Sequence, residues 1–145
     1  MKVFITGGTG FVGSAVVQEL VANGFEVVGL ARSETSAQKL ISWGAQPVRG
    51  SLTSLSTLAT AAAQADAIIH LGFNNDFRHF FQAGAMDRRA IETMGRAISG
   101  TNKPLVVTYG TTGVLESMSR RSMKSRILGY SNGSHRENLR SLHVS

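Results

Sequence analysis

Thr6-Gly7-Gly8-Thr9-Gly10-Phe11-Val12-Gly13 follows an apolar run, Lys2 to Thr6, and opens a segment with helical spacing that continues to about Asn23. Two glycine spacings coexist in it: Gly8, Gly10 and Gly13 give GxGxxG, whereas Gly7, Gly10 and Gly13 give GxxGxxG. Glycine permits positive φ and lets another backbone or a ligand come close, because no Cβ stands in the way. A helix that starts at such a turn offers free N–H groups and the positive end of its dipole to an anion. Strand, glycine turn and helix in that order supply the context in which the pattern is informative, and they predict a seat for the pyrophosphate of a dinucleotide. A turn that only reverses the chain is the simpler alternative.

Outward from this turn, β-branched runs alternate with helical patterns up to about residue 115. The runs Lys2 to Thr6, Glu26 to Ala31, Gln46 to Arg49, Ala67 to Leu71 and Leu105 to Thr108 read as strands. Four helices fall between them. The first spans about Gly10 to Asn23, with Val12, Val16 and Leu20 as its expected buried stripe and Gly24 as its left-handed stop. Ser33 can cap a second helix that buries Ala37, Leu40 and Ile41 before Gly44 ends it. A third begins at Ser54 and carries Leu55, Leu58 and Ala62. The fourth, from about Phe80 to Ser99, sets Ala90, Ile91, Met94, Ala97 and Ile98 on one face and stops at Gly100. Successive βα units of this kind predict an α/β, Rossmann-like, doubly wound parallel sheet in the order 3-2-1-4-5.

A chain of 145 residues, 42% hydrophobic and 17% charged, accommodates one such domain. No apolar run approaches the ~20 residues that cross a bilayer. Met1-Lys2 leads straight into the first strand without the pattern of a secretory signal. The absence of cysteine excludes disulfides, thiolate metal sites and cysteine nucleophiles, and fits a reducing, cytoplasmic setting. The net charge of +6 raises nucleic acid as a partner. Residues 116–145, however, hold Arg120, Arg121, Lys124, Arg126, Arg136 and Arg140 against Glu116 and Glu137, so most of the basicity belongs to that segment. It also contains eight serines and lacks a sustained apolar period, and is expected to be a poorly ordered tail after a domain of residues 1–115. Trp43 and the phenylalanines do not interleave with a basic stripe, which disfavours a nucleic-acid platform. No His or acid spacing such as HxxxH suggests a metal.

The end of the second strand carries the other chemical signal. An acid there suits the ribose 2′-hydroxyl of NAD, and a basic residue suits the 2′-phosphate of NADP. The chain reads Leu30-Ala31-Arg32-Ser33 and has no acid before Glu34. Arg32, with Ser33 as a second donor, therefore favours NADP(H) over NAD(H); a solvated loop charge is the alternative for Arg32.

The turn TGGTGFVG, the segment VVGLARS, the stretch DAIIHLGF from Asp66 to Phe73 and the strand PLVVTYGTTG resemble the extended and atypical short-chain dehydrogenases/reductases, the NAD-dependent epimerase/dehydratase group. The resemblance covers residues 1 to about 115. It implies that Gly7, Gly10, Phe11, Val12 and Gly13 hold the pyrophosphate and that Arg32 and Ser33 read the 2′-phosphate. It further implies that Ser51 and Leu52 border the adenine, although the usual acid is replaced by Ser51. Leu71, Gly72 and Phe73 fall beside the nicotinamide ribose. Thr108 to Thr111 match the end of the fifth strand, where the catalytic Ser/Thr resides, so Thr108 and Thr111 are the catalytic candidates.

The chain also departs from that group. Its mechanism uses a Tyr with a Lys four residues later, yet Tyr109 is followed at that distance by Gly113 and Tyr130 by Ser134. The sequence thus reads as the cofactor half of such an enzyme, acting on a carbonyl or hydroxyl substrate, truncated after the fifth strand and followed by an unrelated tail. A non-catalytic NADP(H) sensor or interaction protein is the competing reading. An uncovered fifth-strand edge would favour self-association. His70 reads as a packed, hydrogen-bonded core residue rather than a catalyst. Asn74, Asn75, Asp76 and His79 read as a solvated loop on the ligand side of the sheet.

Overall fold

The computed structural model describes residues 1–73 and 80–108. Thr111, Tyr109, Tyr130, the loop residues Asn74, Asn75, Asp76 and His79, and the serine-rich segment 116–145 lie outside the described residues. The element order is β1 (Lys2–Thr6), α1 (Phe11–Ala22), β2 (Glu26–Ala31), α2 (Glu34–Ser42), β3 (Gln46–Arg49), α3 (Leu55–Gln64), β4 (Ala67–His70), α4 (Phe80–Ala97) and β5 (Leu105–Val107). The five strands form one sheet in the order β3-β2-β1-β4-β5, and every pairing is parallel. This is the predicted Rossmann-like topology, and Met1–Thr108 forms one compact unit.

Alternation along β1 explains why both faces of the sheet are covered. Successive strand residues point to opposite faces: Phe4 joins Leu30, Leu58, Ala62, Ile68, Ala90, Met94 and Ile98 in a core under α3 and α4. Ile5 joins Val17, Val27, Ala31, Ala37 and Leu40 in a second core on the other face, under α1 and α2. A parallel sheet buried on both sides needs near-continuous apolar strands, and Val3, Phe4 and Ile5 are all at most 2% exposed.

The helix stops occur where expected. Gly24, Gly44 and Gly100 have φ of 79°, 84° and 76°, the left-handed conformation that ends α1, α2 and the turn after α4. Ser33 caps α2, its Oγ accepting from Ser36 N–H at 3.1 Å. Ser54 is the N-cap of α3 without a capping bond from its side chain; its Oγ instead accepts from Ser51 N–H at 3.0 Å.

Several burial expectations need correction. The inner face of α1 is Gly13 and Val17, while Val12 is 58% exposed and Val16 and Leu20 are half-buried. The helix is turned so that its glycine meets the preceding turn, and that contact outranks the Val12 stripe. Ile41 and Leu55 are exposed, because each sits on the last or first turn of its helix beyond the sheet's cover. Leu71 and Thr108 lie one residue past the ends of β4 and β5, and α4 ends at Ala97 rather than Ser99. Among the described residues β5 is an edge strand with Val106 and Val107 exposed.

Candidate functional site: the carboxyl ends of the strands

Parallel strands place all their carboxyl ends on one rim, and in open α/β sheets ligands bind there, where the winding reverses. In this chain the reversal lies between β1 and β4. The residues singled out in the sequence line the rim in strand order: Ser51 and Leu52 after β3, Arg32 and Ser33 after β2, the glycine turn after β1, Leu71 to Phe73 after β4, and Thr108 after β5.

The turn uses the GxxGxxG spacing. Gly7 has φ +69°, and a Cβ on it would lie 2.5 Å from Gly72 N. A Cβ on Gly13 would overlap Gly7 O and come within 2.8 Å of Gly7 C and Gly8 Cα. Gly10 is the N-cap of α1; its N–H donates to Gly7 O at 3.0 Å, and a Cβ there would meet only Gly7 O, at 3.3 Å. Gly8 is hemmed by the Val17 and Ile5 side chains, at 3.1 and 3.2 Å from its would-be Cβ. Gly7 and Gly13 therefore build the turn, and Gly10 keeps its outer surface open.

That surface suits an anion. The bond from Ser14 N–H to Gly10 O closes the first turn of α1, so the amides of Phe11, Val12 and Gly13 belong to the helix's free N-terminal donors. No acid lies in that turn to repel a phosphate. Phe11 and Val12 are exposed beside it. A pyrophosphate thus fits the cradle, with backbone donors and the helix dipole facing it.

At the neighbouring strand end Arg32 is exposed, and among the described residues no ion pair engages it. The nearby acid, Glu34, is paired with Arg49 and accepts from Gln38 Nε2 at 2.8 Å. The Gln38 hydrogen bond and then the Arg49 charge hold the Glu34 carboxyl below its ordinary range. Glu34 is thereby occupied within its own cluster. Gly50 N–H donates to Ala31 O at 3.1 Å, which brings the segment holding Ser51 against the end of β2. Ser51 Oγ lies 2.8 Å from Thr53 Oγ1, and Leu52 is half-buried against the core.

The sequence did not reveal how the rim is held together. Thr6 and His70 are register partners at the ends of β1 and β4 and are 0% and 2% exposed. His70 Nδ1 lies 2.6 Å from Thr6 Oγ1, His70 Nε2 lies 2.8 Å from Asp87 Oδ1, and Gly72 N–H donates to Thr6 Oγ1 at 3.2 Å. A carboxylate only accepts, so Nε2 carries a proton, and in the neutral ring Nδ1 accepts from the Thr6 hydroxyl. His70 is thus the hydrogen-bonded core residue expected. Thr108 N–H and Oγ1 both donate to His70 O, at 3.2 and 3.3 Å. Asp87 was missed, yet it had a signal: spaced with Ala83, Ala90 and Met94, it is an acid on the buried stripe of α4. Among the described residues no group of three or more His, Cys, Asp or Glu could hold a metal, and no helix is long and apolar enough to cross a membrane. A cleft of about 440 Å³ is lined by Lys2, Val28, Gln46, Val48, Thr57 and Gln64, along β1, β2, β3 and α3.

The chain is 49% identical over 113 residues to an uncharacterized protein of Saccharomyces cerevisiae, a match covering 77% of this chain and 38% of that protein. It is 46% identical over 69 residues to the sterol-4-alpha-carboxylate 3-dehydrogenase, decarboxylating, of Dictyostelium discoideum, covering 48% of this chain and 21% of that one. The chain therefore spans less than two fifths of the length of these relatives. Among solved structures, AtPrR2 with NADP+ and (+)pinoresinol matches in fold with a TM-score of 0.62 at 24% identity, covering 89% of this chain and 45% of that one. The family description "NAD dependent epimerase/dehydratase family" matches residues 3–97, which include the glycine turn, the rim residues up to Phe73 and α4. With two thirds of its length inside that match, the chain belongs to the NAD dependent epimerase/dehydratase family.

Proposed function

We propose that residues 1–115 form an NADP(H)-binding domain, with residues 116–145 a separate basic, serine-rich tail. The carrying observation is the open face of Gly10 at the N-terminus of α1, set between the Arg32 loop and the Leu71-Gly72-Phe73 segment. Gly7 and Gly13 shape the turn, and the amides of Phe11 and Val12 are offered to the pyrophosphate. Arg32 and Ser33 receive the 2′-phosphate, Ser51 and Leu52 border the adenine, and Leu71, Gly72 and Phe73 flank the nicotinamide ribose. Arg32, which no ion pair engages among the described residues, and Glu34, whose charge is met by Arg49, support NADP(H) over NAD(H). The cysteine-free composition fits a cytoplasmic setting, and the exposed Val106 and Val107 on β5 support self-association.

When bound, the nicotinamide would supply hydride chemistry on a carbonyl or hydroxyl substrate, as the dehydrogenase relative's name suggests. Thr108 is the described residue nearest that role, with Thr111 as the second candidate. The sequence contains no Tyr with Lys four residues later, and a proton donor of that kind is worth ~10²–10⁴ in rate. We therefore expect dinucleotide binding with weak or absent turnover, which also accommodates a nucleotide-dependent interaction protein. Titration with NADPH and NADH tests the reading: NADPH binds more tightly in the wild type and Arg32→Asp reverses the order. Equal affinities in both proteins would remove Arg32 from the site, and substantial turnover dependent on Gly10 would place the proton donor elsewhere.

A further inference from the structure

The buried group at the join of β1 and β4 has geometry beyond what packing requires. Thr6, His70 and Asp87 come from three elements, β1, β4 and α4, and make one continuous chain of hydrogen bonds. Its inner end is the Thr6 hydroxyl, which also receives Gly72 N–H. Gly72 is the residue whose N would meet a Cβ on Gly7 at 2.5 Å, so the post-β4 segment and the glycine turn touch backbone to backbone. Leu71 N–H adds a bond to Thr6 O at 3.1 Å. The His70 carbonyl also receives both donors of Thr108. A single imidazole therefore stands between the pyrophosphate turn, the nicotinamide-ribose segment and the end of β5.

We infer that Asp87–His70–Thr6 is a positioning relay: Asp87 fixes the ring and its tautomer, the ring orients the Thr6 hydroxyl, and that hydroxyl sets the spacing of Gly72 from the glycine turn. Asp87 lies on a helix and contributes to nucleotide affinity through His70 and Thr6. His70 is 2% exposed, so it is a positioning residue and not a group that meets substrate. The assignment rests on the dinucleotide reading for its functional consequence, though the relay itself has an independent signature in the free protein.

The test uses the full 145-residue chain and NADPH as the probe. Thr6→Val keeps the shape but removes the hydroxyl that His70 Nδ1 and Gly72 N–H both use, and is expected to raise the NADPH dissociation constant about tenfold. Thr6→Ser restores the hydroxyl and should return affinity to within roughly threefold of wild type. Asp87→Leu, which alters α4 rather than the rim, should weaken binding in the same direction as Thr6→Val. Folded Thr6→Val and Asp87→Leu proteins that bind NADPH like the wild type overturn the relay. In the free protein, imidazole nitrogen shifts should show the proton on Nε2, and Asp87→Leu should move the Gly7 and Gly72 amide resonances while leaving Gly24 in place. A proton on Nδ1 alone, or unmoved Gly7 and Gly72 resonances, also overturns it. A wild type that binds neither NADPH nor NADH overturns the dinucleotide reading, and the relay is then judged by these resonances.

Discussion

Gly13→Ala and Gly10→Ala should separate the two jobs of the glycine turn. Within a helix, replacing Gly by Ala ordinarily gains ~1 kcal/mol. At Gly13 the new Cβ would overlap Gly7 O and lie 2.8 Å from Gly7 C and Gly8 Cα, and all three are backbone atoms of a turn that cannot rotate away. Reaching an ordinary 3.4 Å separation from the latter two requires a displacement of about 0.6 Å, and more from Gly7 O. Overpacking of this sort costs ~1–3 kcal/mol and occasionally more. A rigid backbone neighbour puts Gly13 at or above the upper end. The net expectation is a loss of about 2 kcal/mol, or roughly 9 °C in Tm at ~2.1 cal/mol/K of unfolding entropy per residue. Gly10 has φ −76° and a single would-be contact at 3.3 Å, so Gly10→Ala should change stability by less than about 1 kcal/mol while its methyl intrudes on the pyrophosphate seat. Thermal unfolding followed by circular dichroism, with NADPH titration of whatever remains folded, distinguishes them. A Gly13→Ala protein as stable as wild type would refute the close packing of α1 on the turn.

Other perturbations probe the rest of the frame. A Cβ on Gly29 would lie 2.7 Å from both Cδ atoms of the buried Leu40, so Gly29→Ala should cost ~1–3 kcal/mol and Leu40→Ala ~2–5 kcal/mol. In urea unfolding their double mutant should lose less than the two costs together, and strict additivity would show that the new methyl does not meet Leu40. Ser33→Ala removes the α2 cap and should lower stability by ~1 kcal/mol; an unchanged Tm would show that the cap contributes nothing. The Glu34 carboxyl, held below its ordinary 4.5 first by Gln38 and then by Arg49, contributes to stability above its unfolded pKa and loses that contribution as the pH falls through the folded value. In an NMR titration Gln38→Ala should therefore move the Glu34 midpoint upward, and an unmoved midpoint would exclude that hydrogen bond as the cause.

The sheet order was legible because each strand, helix and glycine stop carried a local signal. Gly24, Gly44 and Gly100 end their elements through a backbone conformation that depends on no distant partner. The rotation of α1 was not legible. Val12, Val16 and Leu20 satisfy a helical period as well as Gly13 and Val17 do, and only the contact of Gly13 with Gly7 decides between them. Likewise the sequence could mark the two glycine spacings, but the +69° φ of Gly7 and its approach to Gly72 select one. His70 was readable as a buried hydrogen-bonding residue. Its partners were not, since Thr6 and Asp87 reach it only through strand pairing and helix docking.

The central position of β1 has a consequence for how the chain acquires its site during synthesis. Thr6 meets His70 across 64 residues of sequence, so β1 waits for β4 before its second edge is paired. At synthesis rates of 5–20 residues per second that interval is about 3–13 s. Throughout it the backbone of Val3, Phe4 and Ile5 can pair on the β2 side only. The proposed nucleotide seat is then closed late and at once: when residues 67–72 arrive, the same register that pairs β1 with β4 brings Gly72 against Gly7. A nascent chain shorter than this has the glycine motif in its sequence without the Gly72 backbone that packs against Gly7.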